Sequence, residues 1–172
     1  IVHYKTLTAE SEKQAKTFLA GLRSSEKGIR NFAIAPGGVI SFVFPLAGNE
    51  RALGHDLIND YQAGARTVSL RAISSRDIAH SDPYELRQGG LGFVARKAIY
   101  DDGGYWGLVS MVLDMVPIIE EAGMMEAETN LAMAIRDSQE QVFFGSPQVF
   151  EQSELIKQVN MPDGYWAIAA IP

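Results

Sequence analysis

From Ser11 onward, apolar or small side chains recur at Ser11, Ala15, Phe18, Leu22, Ser25, Ile29 and Phe32, at spacings that alternate four and three. That period belongs to a helix and draws one narrow stripe along it. The pattern predicts a helix from Thr8 to about Phe32. Thr8 is placed to cap its start, and Glu10 falls in the first turn, near the positive end of the helix dipole. Gly21 and Gly28 flank the stripe and weaken the helix by about 1 kcal/mol each relative to Ala. The stripe suits two roles, packing on its own domain or pairing with a partner chain.

The period then changes. Phe32–Ala35 reads as a short strand, Pro36-Gly37-Gly38 as a turn, and Val39–Phe44 as a strand that stops at Pro45. A helix is expected over Arg51–Asn59 and another over Ala63–Ala79, broken by Ser81-Asp82-Pro83. Tyr84–Gln88 adds a short strand. Gly92–Tyr100 and Tyr105–Asp114 form a hairpin around Asp101-Asp102-Gly103-Gly104, residues suited to positive φ. After Pro117 a helix is expected over Glu120–Asp137. Strands at Gln141–Gly145, Leu155–Asn160 and Tyr165–Ile171 follow, the last two joined by Pro162-Asp163-Gly164. The organisation is thus an N-terminal helix (1–32), a core (33–119) and a smaller α/β annex (120–172). The class is α+β. An antiparallel sheet with helices inserted between its second and third strands is PAS-like in arrangement.

Composition narrows the functions. The chain has 172 residues, 47% of them hydrophobic and 21% charged, as an ordinary globular chain does. Its formal net charge is −6 with no basic block, which disfavours nucleic acid as a partner. It has no cysteine, which excludes thiol catalysis, thiolate metal sites and disulfides. No apolar run is long enough to cross a membrane as a helix. The start at Ile1 and the stop after an apolar stretch read as a piece cut from a longer protein.

Catalytic motifs are missing. Gln88-Gly89-Gly90-Leu91-Gly92 lacks the Lys-Ser/Thr step of a phosphate loop and leads into a strand. The histidines, His3, His55 and His80, have no helical i,i+4 partner, so no metal site is expected. There is no G-x-S-x-G elbow. Glu120-Glu121 and Asp101-Asp102 are adjacent pairs that do not face one another. No catalytic residue, metal or cofactor is assigned.

A pocket remains. Arg96 and Asp114 are ionisable groups in otherwise apolar strands, where a charge must be paired or used. They neutralise one another, or Asp114 caps the following turn, or one or both face a ligand cavity between the hairpin and the inserted helices. Alternation would put Val94, Arg96, Ala98 and Tyr100 on one face, with Trp106, Leu108, Ser110, Val112 and Asp114 alternating on the next strand. The phase of each strand against the cavity is open, since a one-residue slip exposes the other set. Arg76, Gln88, Arg96 and Asp114 are the candidate polar groups, with Tyr100 and Trp106 as stacking surfaces. A cationic ligand would use Asp114, and an anionic one Arg76 or Arg96.

The stretch Ala35-Pro36-Gly37-Gly38-Val39-Ile40, through Phe44-Pro45-Leu46-Ala47-Gly48-Asn49-Glu50, to Ala52-Leu53-Gly54-His55-Asp56-Leu57 resembles the CHASE family. Ser81-Asp82-Pro83, Glu85-Leu86-Arg87-Gln88-Gly89-Gly90 and Tyr105-Trp106-Gly107 continue the resemblance, which covers about Ile29 to Ile119. Asp82 departs from the Gly expected before Pro83, and Ala98 stands where a strand Pro is common. The resemblance implies an extracytoplasmic, PAS-like ligand-sensing domain held between two membrane helices of a receptor. Histidine kinases and diguanylate cyclases are the expected receptor types. It also implies a small-molecule ligand, a membrane-proximal annex, and both chain ends returning to one membrane, while the stripe of Phe18, Leu22 and Ile29 is expected to make a homodimer through the N-terminal helix in the full receptor. The alternative is a structural or dimerisation module without a ligand.

Overall fold

The structure, a computed structural model, describes residues 8–59, 65–125, 130–162 and 164–172. The chain divides into two compact units, Ile1–Met115 and Val116–Pro172. The expected return of both ends to one membrane involves Ile1, which lies outside the described residues.

The first unit opens with helix α1, Ala9–Ser25. Thr8 caps it, its hydroxyl accepting from the Ser11 amide at 3.2 Å. The helix buries none of its residues, and Phe18 on the stripe is 67% exposed. It ends at Ser25, not at Phe32 as the heptad spacing suggested. From Ile29 the backbone is claimed by strand β1, Ile29–Pro36, where Ile29, Phe32 and Ala33 are buried. Sheet pairing of a β-branched and aromatic run overrides the helical spacing there.

Strand β2 covers Phe42–Phe44, shorter than the expected Val39–Phe44. Val39 makes only an isolated bridge to Asp56. The expected helix over Arg51–Asn59 is a single 3-10 turn, Glu50–Ala52, because Gly54 turns left-handed at φ 76. Helix α2 runs Ala65–Ser75, and the expected start at Ala63 lies outside the described residues. Arg76 ends it at φ 57, and Ala79–His80 becomes strand β3 rather than the last helical turn. Strand β4 is Tyr84–Glu85, β5 is Leu91–Asp101 and β6 is Gly104–Asp114. These form one antiparallel sheet in the order β2-β1-β6-β5-β3, with β4 also on β5. Its core holds Ala35, Leu57, Val68, Ala72 and Leu108.

The second unit departs most from the sequence pattern. The expected helix over Glu120–Asp137 is replaced by helix α3, Met115–Glu121, and strand β7, Ala132–Arg136. Gly123, at φ 64, stops the helix early. Strand β8, Val142–Phe144, helix α4, Pro147–Gln152, and strands β9, Ile156–Met161, and β10, Gly164–Ile171, complete it. The antiparallel order is β8-β7-β10-β9, over a core of Ala134, Val149 and Ala169. Helix α4 had no counterpart in the sequence reading. The Asp163 turn lies outside the described residues. Among the described residues no helix is long and apolar enough to cross a membrane.

Candidate functional site

Three strands of the first sheet build a floor in rows. Register aligns Asn31, Val112 and Val94 in one row across β1, β6 and β5. It aligns Ala33, Ser110 and Arg96 in the next, and Ala35, Leu108 and Ala98 in a third. Alternation puts all nine on one face. The third row is apolar and buried in the core. The first two carry a buried amide, hydroxyl and guanidinium, and Ala33 between them is short enough to leave space.

That space is a recess with a cavity volume of about 40 Å³, opening into about 490 Å³ of empty space when the solvent in front of it is included. Ile40, Ala52 and Leu57 from the segment after β1 supply apolar walls. Tyr84, Leu86, Arg87 and Gln88 bound it on the other side. The loop that carries Gln88 is held by Leu86 N–H donating to the Gly90 carbonyl at 3.0 Å and Gly89 N–H to the Leu86 carbonyl at 2.8 Å. Gly90 N–H donates to the Glu85 carboxylate at 2.7 Å. Gly89 and Gly90 both sit at positive φ, 87° and 85°, which the tight loop requires.

Arg96 is 4% exposed. Its Nε donates to Ser110 Oγ at 3.2 Å and its Nη1 to Ser69 Oγ, on α2, at 3.0 Å. Asn31 is fully buried, and its Nδ2 donates to Asn49 Oδ1 at 2.7 Å. Asn49 in turn donates from Nδ2 to the Pro45 carbonyl at 3.0 Å.

Of the six candidate residues, Gln88 and Arg96 line the recess. The other four do not. Arg76 lies 4.6 Å above the ring of Tyr100, whose hydroxyl donates to the Ile73 carbonyl at 2.6 Å, so these two bind each other and the end of α2. Trp106 is the extra residue of a β-bulge: Tyr100 opposes Tyr105 and Ile99 opposes Gly107. The bulge resets the alternation, so Tyr105 packs against the core cluster instead. Asp114 pairs with Arg30, Nε to Oδ1 2.6 Å, a charge contact rather than an aligned hydrogen bond. The expected alternative, an Arg96–Asp114 pair, is set apart by register. Arg96 opposes Ser110, while Asp114 opposes Gly92, four residues away along the ladder or about 13 Å.

The reading from sequence missed Asn31, His55, Tyr84 and Arg87 as lining residues. Asn31 alone carried a signal, a polar residue inside the apolar run Ile29–Pro36. The carboxyl of Asp56, beside His55, is held below its ordinary value. The Asn59 side chain does this first, and the Asn59 and Ile58 amides add to it. Among the described residues no cluster of three or more His, Asp or Glu gathers to hold a metal ion.

The CHASE domain family model matches residues 7–144. No curated protein sequence matches the chain. Solved structures with a similar fold include an extracellular ligand binding receptor from Desulfohalobium retbaense DSM5692, at 12% identity and TM-score 0.69. It aligns with 91% of this chain, which spans only 32% of the receptor's. The ligand-binding domain of the Pseudomonas aeruginosa PAO1 amino acid chemoreceptor PctC, in complex with GABA, aligns at 8% identity and TM-score 0.65. That match covers 98% of this chain and 83% of the other. The sensor domain of the V. cholerae histidine kinase DctB aligns at 8% identity and TM-score 0.62, over 95% and 79%. At such identities the likeness is one of fold.

Proposed function

The chain belongs to the CHASE domain family, and we propose that it is the extracytoplasmic ligand-sensing module of a transmembrane receptor, taking a small anionic molecule into the recess on the first sheet. The observation that carries this reading is the floor of the recess, a buried guanidinium, amide and hydroxyl in an otherwise apolar concavity. Small-molecule sites have this build, with apolar walls for affinity and a few fixed polar groups for orientation. Ser110 and Ser69 hydroxyls are among the partners that fix the Arg96 guanidinium, a planar group whose geometry suits a carboxylate. Gln88 lies on the bounding loop and is the second ligand contact. The PctC domain, similar in fold, is described with GABA, itself a carboxylate.

A sensor module does no chemistry. Its ligand biases two arrangements of the chain, and an output domain elsewhere in the receptor responds. A histidine kinase or nucleotide cyclase is the proposed output. Helix α1, Ala9–Ser25, serves as the rise toward the core, the first sheet from Ile29 to Asp114 as the sensing core and residues 120–172 as the membrane-proximal return. The exposed stripe of α1, with Phe18 and Leu22, supports pairing of two copies there in the full receptor. Cysteines at Leu22 should crosslink in the membrane, and efficient crosslinking only on the opposite helix face would reject that pairing.

The ligand reading is tested by a thermal-shift screen of small metabolites. A ligand at about 100 times its Kd stabilises by about 2.7 kcal/mol. The expected result is a hit among carboxylates that Arg96→Met abolishes. A broad screen with no stabilising compound would favour a dimerisation module without a ligand.

A further inference from the structure

The buried amide on the floor has a determined orientation. The Pro45 carbonyl only accepts, so Asn49 must turn its Nδ2 toward it, 3.0 Å away. That leaves Asn49 Oδ1 as an acceptor, and Asn31 must present Nδ2 to it at 2.7 Å. Asn31 Oδ1 is then fixed on the other side of the amide, on a fully buried residue that lines the recess. This oxygen accepts no hydrogen bond from the described residues. Its row neighbour Val112 and the next residue on its face, Ala33, are apolar and offer no side-chain donor. A buried acceptor without a donor is costly and uncommon in a native fold. Here the chain of amides holds it in that state and points to a donor supplied from outside.

Arg96 stands two strands and one row away. At ordinary strand spacing and rise, its backbone is about 12 Å from that of Asn31. Arg96 Nε reaches Ser110 Oγ on β6, the strand between the two, which brings the guanidinium closer to β1 than its own backbone is. We propose that Asn31 Oδ1 is the specificity acceptor of the site, so that the ligand is a small carboxylic acid carrying an amino or hydroxyl group near its carboxylate. This rests on the reading that an anionic group binds at Arg96. The amide selects for a donor and rejects the same acid without one, because an apolar group at that position would strand the oxygen. The competing occupant is a water molecule, which would satisfy Oδ1 in every complex and confer no selectivity.

The test is isothermal titration of the 172-residue chain with four nearly isosteric probes: L-alanine, L-lactate, propionate and isopropylamine. Alanine or lactate should bind at least tenfold more tightly than propionate, and which of the two wins separates an ammonium from a hydroxyl. Isopropylamine, lacking the carboxylate, should be weaker than the better of them by a similar factor. In Asn31→Ala the advantage over propionate should shrink to within about twofold. If that variant fails to fold, the wild-type ranking decides alone. Propionate equal to alanine and lactate overturns the proposal and indicates water at Oδ1. Binding of none of the four overturns it as well. In that case, a metabolite found in the broader screen that binds independently of Asn31 leaves the sensor reading standing. Isopropylamine equal to alanine instead removes the anionic reading at Arg96.

Discussion

Replacing Asp114 by Asn separates a ligand contact from a structural one. The carboxylate lies 2.6 Å from Arg30 Nε, with 27% of its side chain exposed against 21% for the arginine. Arg30 also donates from Nη1 to the Gly89 carbonyl at 2.6 Å, so one guanidinium joins the end of β6 to the loop that bounds the recess. Arg30 is in position to do this because it is the extra residue of a bulge, with Ile29 opposite Leu113 and Asn31 opposite Val112. Asn preserves the shape of Asp and removes the charge. Fully exposed pairs contribute about 0–1 kcal/mol. Breaking a fully buried one costs about 3–5 kcal/mol. A pair with a fifth to a quarter of each side chain exposed falls between, at about 1–2 kcal/mol after solvent screening. For a chain of this length that is a fall of about 2–8 °C in Tm. Urea unfolding of wild type, Asp114→Asn, Arg30→Met and the double variant should give a coupling of about 1 kcal/mol between the two positions. The coupling should decline as salt rises, because solvent reaches the pair. Affinity for a ligand of the recess should stay within about twofold, since Asp114 is not among the lining residues. An unchanged urea midpoint together with a tenfold loss of affinity would refute this account and return Asp114 to the site.

Gly107→Ala should destabilise the first unit by about 2–3 kcal/mol, because a Cβ there would lie 2.4 Å from the Ala35 carbonyl oxygen and 2.8 Å from Pro36 Cα; a neutral urea midpoint would contradict the β1–β6 register. Tyr100→Phe should cost about 1 kcal/mol by removing the bond to the Ile73 carbonyl, while leaving ligand affinity intact; lost affinity at constant stability would instead put Tyr100 at the ligand. For Asp56, the folded state lowers the carboxyl below 3.8, so its contribution is present above that value and lost as pH falls through the lower folded value. The difference in urea midpoint between wild type and Asp56→Asn should be largest near neutral pH and narrow below about pH 4, and a difference that stays constant with pH would count against the link.

The β5–β6 hairpin was legible because two independent signals agreed. Residue alternation ran through both strands, and the turn held Asp and Gly, with Gly104 taking φ 102. Where one signal stood alone it misled. The heptad spacing continued from Ser25 to Phe32, yet β6 offers that segment a full antiparallel ladder, and long-range pairing outweighs a local period. The expected helix over Glu120–Asp137 failed in the same way, since Ala132–Arg136 pairs with both β8 and β10. Gly54 and Gly123, at φ 76 and 64, fall inside the two expected helices and mark the true stops.

The site was harder to read than the fold for a separate reason. Arg96 was visible as a charge in an apolar strand, and alternation alone put it on a face with Val94 and Ala98. Trp106 and Asp114 share parity with Ser110, so the same rule assigned them to that face too. A single inserted residue at Trp106 ends the alternation before it reaches that end of the strand. At the other end, Arg30 is inserted in β1 and captures Asp114. Neither insertion can be read from one strand, because a bulge is a mismatch in count between two. The orientation of the Asn31 amide is further removed still. It depends on Asn49, eighteen residues later, and on which atom of Asn49 meets the Pro45 carbonyl. Within a sequence, Asn31 is only a polar interruption of an apolar run. What turns that interruption into a directed acceptor is a chain of two amides ending on a backbone oxygen, and each link follows from the inability of a carbonyl to donate.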